Sequence, residues 1–329
     1  MVAPAGLTVP TESQRPTVSV VICAFADHRL QSLLAAVDHA ISQTPAPLEV
    51  IVVVDHNESL LQTCRQARPS LCVIANDQAR GLSGARNAGV RRARGEIVAF
   101  VDDDACPLDG WLEALLEPFA DARVIGVGGL ALPRWQRRRP AWFPEEFLWV
   151  VGCSYRGLPV TSDQIRNPIG ANMAFRRAAF DAAGGFSDGI GRVGSRPVGC
   201  EETEFSIRAT RLTGGLIVHA PAAIVEHLVD ERRAQWSYFQ SRCWSEGSSK
   251  ALVAAQVGTD GALASERAYT SRTLPLGIAG CVGATLRGDR WAPARAAAIV
   301  LGVLITAAGY LFGRATAAVG ASRAARRSR

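Results

Sequence analysis

With 329 residues, 48% of them apolar and 20% charged, the chain can bury the core of one large α/β domain, alone or with an appendage. Its formal charge of +6 is modest, and no aromatic residues interleave with Arg323, Arg326, Arg327 and Arg329 near the C-terminus, which sets nucleic acid aside in favour of an anionic membrane surface. Eight scattered cysteines form no C-x-x-C pair and have no histidine at metal spacing, which sets aside a disulfide framework or a zinc site and points to a reducing compartment. Residues 1–16 are small and polar, without the apolar core of a signal peptide, so the bulk of the chain is expected in the cytoplasm.

Residues 18–24 read as a continuous apolar strand, and Leu30, Leu33, Leu34, Val37 and Ile41 recur at helical spacing. Residues 48–54 make a second β-branched strand ending at Asp55, followed by a helix over 60–67 and a short strand over 71–75. Ser83 is expected to cap a helix running to Arg94. Ile97, Val98, Ala99, Phe100 and Val101 then form a strand that stops at Asp102, Asp103 and Asp104. Strands of near-continuous Val and Ile between amphipathic helices predict a parallel sheet covered on both faces. Ligands of such sheets bind beyond the carboxyl ends of the strands, which places Asp55 and the three aspartates on one rim. Three adjacent carboxylates repel, so either solvent bathes them or a hard cation such as Mg²⁺, shared with phosphate oxygens, neutralises them.

Residues 133–167 break the pattern with Trp135, Arg137 to Arg139, Trp142, Phe143, Trp149 and Tyr155, an irregular excursion of the kind that meets substrates. Regular structure resumes with a strand over 172–175 and a helix over 177–183. A glycine-rich loop over 184–199 opens into the acidic helix start Cys200-Glu-Glu-Thr-Glu. Residues 223–227 look like a strand ending in His227.

Taken in order, the motifs are the strand-ending Asp55, Gly81-Leu-Ser-Gly-Ala-Arg-Asn-Ala-Gly, the triple aspartate, Gly170-Ala-Asn172 and Glu201-Glu202-Thr203-Glu204. This set resembles the family 2 glycosyltransferases of the GT-A fold, over residues 18–211 and more loosely to Lys250. The resemblance implies an α/β fold, a mostly parallel Rossmann-like sheet with helices on both faces, to which the apolar runs of the C-terminal region add hydrophobic helices. The chain is expected to divide into a flexible N-terminus (1–16), a catalytic domain (17–258), a hydrophobic, membrane-associating helical region (259–319) and a basic tail (320–329).

The resemblance also implies roles. Asp55, beside Ala24 and Phe25 at the first strand end, reads a uracil base, although an N-cap would use the same carboxylate. Arg86 reaches the diphosphate, where the Gly81 and Gly84 turn lets backbone approach closely. Asp102 and Asp103 serve the nucleotide sugar. Asp104 is the leading ligand for Mg²⁺ or Mn²⁺, with Asp102 beside it and His227 as a third ligand or a structural histidine. Asn172 meets the donor sugar or the acceptor. A sugar hydroxyl needs a base during attack, and Glu201 and Glu202 open a helix where anions are stabilised. The family usually carries Glu-Asp there; Glu202 matches the Asp and is favoured, Glu201 stands second, and Glu204 supports the acceptor site. Arg232, Arg242 and Lys250 either close over the diphosphate or are solvated.

Residues 296–313 carry no charge and are of about the minimum length that spans a bilayer, while residues 274–286 are too short to do so. A span, an interfacial or re-entrant hairpin, and a helix packed on the domain all remain open, the interfacial geometry being favoured. The expected activity is transfer, with inversion, from a nucleotide-diphosphate sugar, a UDP-sugar foremost, to a lipid-linked acceptor or envelope glycan at the cytoplasmic face of the membrane. The rival readings are a catalytically idle membrane partner and a soluble transferase for small acceptors. A dinucleotide-dependent oxidoreductase is set aside, because Cys23-Ala-Phe-Ala-Asp-His lacks the Gly-x-Gly-x-x-Gly turn.

Overall fold

The computed structural model describes residues 15–192, 199–258 and 264–327; most of the N-terminal segment, part of the glycine-rich loop and the end of the basic tail lie outside them. Strand β1 (Val18–Ala24) is flanked by β2 (Glu49–Val54) and β4 (Ile97–Asp102), both parallel to it, and β3 (Cys72–Ala75) extends the sheet beyond β2. Both faces of these strands are covered, which is why their sequences are apolar without alternation. Val20, Ile22 and Val52 pack with Leu33 and Val37 of helix α1 (Leu30–Ile41) on one face. Val21, Ile51 and Val53 pack on the other with Ala85 and Ala88 of α3 (Leu82–Arg92). Each such fully buried Val or Ile contributes about 1.5–3 kcal/mol. Helix α2 (Glu58–Ala67) connects β2 to β3.

The far half of the sheet gives the order β3-β2-β1-β4-β7-β6-β8-β5. Strand β7 (Asn172–Arg176) runs antiparallel to β4 and to β6 (Val124–Trp135), and β8 (Leu216–Val229) runs parallel to β6. Two reversals restore direction, so β6 and β8 run as β4 does, and His227 near the end of β8 reaches the same rim as Asp102. The short β5 (Ala105–Pro107) pairs antiparallel with β8. Strands β5 and β6 and helix α4 (Trp111–Leu116) stand where the sequence pattern predicts no element. In β6 the glycines disguise the strand: a Cβ on Gly126 would lie 2.5 Å from the Phe175 ring, and one on Gly129 2.3 Å from the Asn172 amide. The expected cap at Ser83 is also corrected. Gly81 is the N-cap of α3, and the Ser83 hydroxyl, inside the first turn, donates to the Ile190 carbonyl at 2.5 Å.

Helices α5 (Arg177–Ala183) and α6 (Glu201–Thr213) cover the β7 side of the sheet, with Phe175, Phe180 and Phe205 packed ring on ring. After β8 come α7 (Trp236–Val257), α8 (Ala264–Ala268), α9 (Leu274–Leu286) and α10 (Ala292–Arg327). Helix α10 lies tightly along α7: a Cβ on Gly247 would sit 2.0 Å from the Thr306 carbonyl oxygen, and one on Gly309 2.2 Å from that of Trp244. Leu274 and Ile299 join Phe143, Phe147 and Phe239 in a third core cluster. The C-terminal helices therefore complete the domain on one side. On the other side Leu304 and Leu311 are 58% and 67% exposed. The segment Ala292–Thr316 has a mean hydropathy of 2.1 and is long and apolar enough, by length and composition, to cross a membrane.

Candidate active site

The rim where β4 and β8 end opens into a cavity of about 750 Å³. Its floor is set by strand register. Ala105 of β5 stands opposite His227 of β8, so the turn before β5 carries Asp104 against the imidazole. Nε2 of His227 lies 3.1 Å from Asp104 Oδ1. Ligand atoms of Asp102, Asp104 and His227 all fall within 4.8 Å of one another. Two carboxylates and an imidazole suit a divalent cation of the Mg²⁺ or Mn²⁺ type. Next to them Asp103 Oδ2 is buried, with no hydrogen-bond partner among the described residues, a further acceptor left over for a cation or its water.

Two arginines that sequence does not single out neutralise this cluster. Arg29 Nη1 lies 2.8 Å from Asp103 Oδ1 and 3.1 Å from Asp104 Oδ2, and Arg233 Nη2 lies 2.9 Å from Asp104 Oδ2. Burial would raise the Asp104 carboxyl, but His227 and Arg233 outweigh it and hold it well below the usual carboxylate range. Burial would likewise lower His227, yet the Asp104 carboxylate lifts it to about 10. Arg232, singled out from sequence, is exposed, while its neighbour Arg233 turns inward.

Arg86 ties the aspartates to the second acidic pair. It is fully buried, with Nη1 2.7 Å from Glu201 Oε1 and Nη2 3.5 Å from Asp102 Oδ1, and it donates to the Gly170 carbonyl at 3.1 Å. Phe100 and Phe186 flank its guanidinium. The glycines around it make room for protein atoms: a Cβ on Gly170 would meet Arg86 Nη2 at 2.8 Å, and one on Gly84 would meet the Ala79 carbonyl at 1.9 Å. Gly84 thus lets its own loop pack closely.

Glu201 and Glu202 begin α6, after Cys200 in a left-handed conformation (φ 73°). Their environments differ. Glu201 is buried and held by Arg86; Glu202 is half-buried on the cavity wall, and among the described residues no cation pairs with it. Burial, reinforced by Glu201, pushes the Glu202 carboxyl up to about 8.

Other expected site residues stand elsewhere. Asn172 is fully buried and its amide is spent on the fold: Oδ1 accepts from Trp111 Nε1 at 2.8 Å, and Nδ2 donates to the carbonyls of Leu130 and Ala223. Both amide hydrogens are thus used within the fold, and Asn172 is not among the residues lining the cavity. Glu204 is likewise buried, against Ser187 and Arg208, and away from the cavity lining. Asp55 accepts from the Gly81 N–H at 3.0 Å and from Asn76 at 2.7 Å, fastening the loop before α3 to the end of β2. Ala24 is buried and Phe25 is exposed on that same rim, neither lining the cavity.

The family model for glycosyl transferase family 2 matches residues 19–184. The glucosyl-dolichyl phosphate glucuronosyltransferase of Haloferax volcanii is 33% identical over 240 residues, 72% of this chain and 77% of that protein. The succinoglycan biosynthesis protein ExoM of Rhizobium meliloti is 25% identical over 247 residues, 73% of this chain and 75% of that protein. A mannosyltransferase from Pyrobaculum calidifontis, solved in complex with GDP-Man and Mn²⁺, superposes with a TM-score of 0.56 at 18% identity, over 92% of this chain and 89% of its own. Fold and relatives together define a glycosyltransferase of the GT-A type. The chain belongs to glycosyl transferase family 2.

Proposed function

We propose that the protein transfers a sugar from a nucleotide-diphosphate sugar, a UDP-sugar foremost, to a hydroxyl of a lipid-linked acceptor, with inversion at the anomeric carbon. The observation that carries this reading is the buried Arg86, which joins Asp102 to Glu201 and so sets a metal-ligand triad beside a free carboxyl in one cavity. Asp102, Asp104 and His227 would hold Mg²⁺ or Mn²⁺, which in this chemistry neutralises charge on a departing diphosphate. Arg86 orients Glu201 away from the reacting centre. Glu202 takes the proton of the acceptor hydroxyl as it attacks opposite the leaving group, which inverts the centre. The nucleotide's base would lie on the rim by Phe25 and Asp55. The test is conversion of UDP-sugars by the purified protein: activity lost in EDTA and restored by Mn²⁺ or Mg²⁺ supports the reading, and full activity in EDTA contradicts it.

Acidity gives a second check. With Glu202 at about 8 in the free protein, kcat/KM should fall about tenfold per pH unit below that value, because only the ionised carboxylate accepts a proton. A pH profile flat from 6 to 9 would remove Glu202 from the role.

A lipid-linked acceptor fits the dolichyl-phosphate substrate in the name of the Haloferax relative and the apolar outer face of α10. That face would rest on the cytoplasmic leaflet, with the arginine-rich end of the chain attracted to anionic headgroups. Truncation near Ser271 would strip Leu274 and Ile299 from the third core cluster, so the shortened chain should unfold rather than simply dissolve. A Leu304→Glu, Leu311→Glu double variant avoids that difficulty. It should leave the thermal midpoint within a few degrees of wild type and abolish co-sedimentation with anionic liposomes; undiminished binding would rule out this face as the contact.

A further inference from the structure

Part of the same cavity, a chamber bounded by cationic side chains, has different chemistry. Arg166, Arg192, Arg242 and Lys250 line it, with Glu246 and Glu266 as the carboxylates among them. Arg166 pairs with Glu266 at 2.6 Å, Lys250 with Glu246 at 3.1 Å and also with Glu266, and Arg242 approaches Glu246 at 3.7 Å. Arg192 has no carboxylate within salt-bridge distance among the described residues. Among the described residues four cations face two carboxylates here, a surplus of positive charge in a place largely shut off from water. Such a surplus is costly unless an anion matches it. Burial and the like charges of Arg242 and Arg233 accordingly lower the Arg192 guanidinium, even though Asp102 and Tyr238 act the other way.

This chamber adjoins the acidic pair from the α7 side. The Cys200 thiol lies 3.5 Å from Glu246 Oε1, and the Gly199 N–H donates to Ser249 at 3.1 Å. Asp102 and Arg86 adjoin the same pair from the sheet side. Arg192 has Arg242 on one hand and Arg233 and Asp102 on the other as its charged neighbours, so the cations run from α7 toward the metal triad along one cavity wall. The remaining wall comes from α10, which turns Val303, Thr306, Ala307 and Tyr310 toward the cavity at the i, i+3, i+4, i+7 spacing of one helix face. Leu301 stands on the opposite face of the same turns, and Leu304 and Leu311 are exposed beside the cavity face.

We infer that this chamber binds the phosphate of the acceptor, a sugar carried on a phosphate that bears a long apolar chain, with the phosphate held by Arg192, Arg242, Arg166 and Lys250 and the chain leaving along α10. A phosphate anchored by these cations and a donor held at the triad would bring the acceptor sugar's hydroxyl to where Glu202 can reach it. The inference rests on the glycosyltransferase reading above and adds the acceptor's chemical class to it. It also gives the C-terminal helix two tasks, walling the acceptor site inward and meeting lipid outward.

The experiment is isothermal titration of the full-length protein in EDTA with citronellyl phosphate, citronellol and inorganic phosphate, alongside UDP in Mn²⁺. Citronellyl phosphate should bind without metal, at least tenfold more tightly than either fragment, and saturating UDP with Mn²⁺ should not displace it. Arg192→Gln breaks no ion pair among the described residues, so it should fold normally, and it should weaken citronellyl phosphate at least tenfold. Lys250→Gln should do the same; if that variant misfolds because Glu246 and Glu266 lose their partner, Arg192→Gln decides alone. Equal affinity for all three probes, displacement by UDP, or unchanged binding by Arg192→Gln overturns the inference. UDP binding with no citronellyl phosphate binding would leave the donor side of the reading standing and remove only the acceptor chamber; failure of both would remove the two together.

Discussion

Glu202→Gln should lower sugar transfer by about two orders of magnitude or more while leaving nucleotide-sugar binding close to wild type. The amide keeps the shape of the side chain but cannot accept a proton. Because among the described residues no cation pairs with Glu202, its neutralisation strands no partner. The stability consequence has a defined sign. Burial and Glu201 raise the carboxyl from its ordinary 4.5 to about 8, so the folded chain binds this proton more tightly than the unfolded one. The group's favourable contribution is fully present below about pH 4.5 and is lost as the pH rises toward 8. Glu202→Gln should therefore gain stability relative to wild type across that window, losing activity as it does so. Glu201→Gln is the informative contrast. It weakens the 2.7 Å pair that compensates the buried Arg86, so both stability and donor binding should fall. A normally active Glu202→Gln beside an inactive but stable Glu201→Gln would transfer the role of base to Glu201.

Asp104→Asn should abolish metal-dependent nucleotide-sugar binding and also destabilise the fold. From sequence alone the substitution reads as a local loss of one metal ligand. In the structure Asp104 is the common partner of the buried Arg233 and His227 and of the partly buried Arg29. Removing its charge leaves those cations facing one another. Breaking a buried pair in this way costs about 3–5 kcal/mol. Chemical denaturation in EDTA, where metal binding adds nothing, should show that loss directly. An Asp104→Asn variant as stable as wild type would mean the arginines find other partners.

Half of the fold is legible in the sequence because β1, β2 and β4 are runs of Val and Ile buried on both faces, and runs of that kind admit few alternatives. Strand β6 was not legible, because Gly126, Gly128 and Gly129 look like a loop until Phe175, Pro168 and Asn172 are seen filling the space above them. The acidic residues of the site could be found because each sits at the end of a strand or the start of a helix. Their counter-ions could not. Arg29 follows β1 and Arg233 follows β8, far apart in sequence, and only the sheet order brings both to Asp104. The partner of Asn172 could not be read either: Trp111, which donates to its carbonyl, comes from a helix the pattern hides. The C-terminal helix reads as apolar along its whole length, so sequence could not separate the glycine face against α7 from the leucine face turned outward.

The most direct test is the thermal midpoint of the full-length protein with a panel of nucleotide-diphosphate sugars, with Mn²⁺ or EDTA, for wild type and Asp104→Asn. A ligand at a hundredfold excess over its dissociation constant adds about 2.7 kcal/mol of stability, an easily measured shift. A rise of several degrees with at least one UDP-sugar, seen only with Mn²⁺ or Mg²⁺ and absent from Asp104→Asn, is the result expected of a donor held through the triad of Asp102, Asp104 and His227. A shift of the same size in EDTA, or in Asp104→Asn, or no shift with any nucleotide sugar, would contradict it.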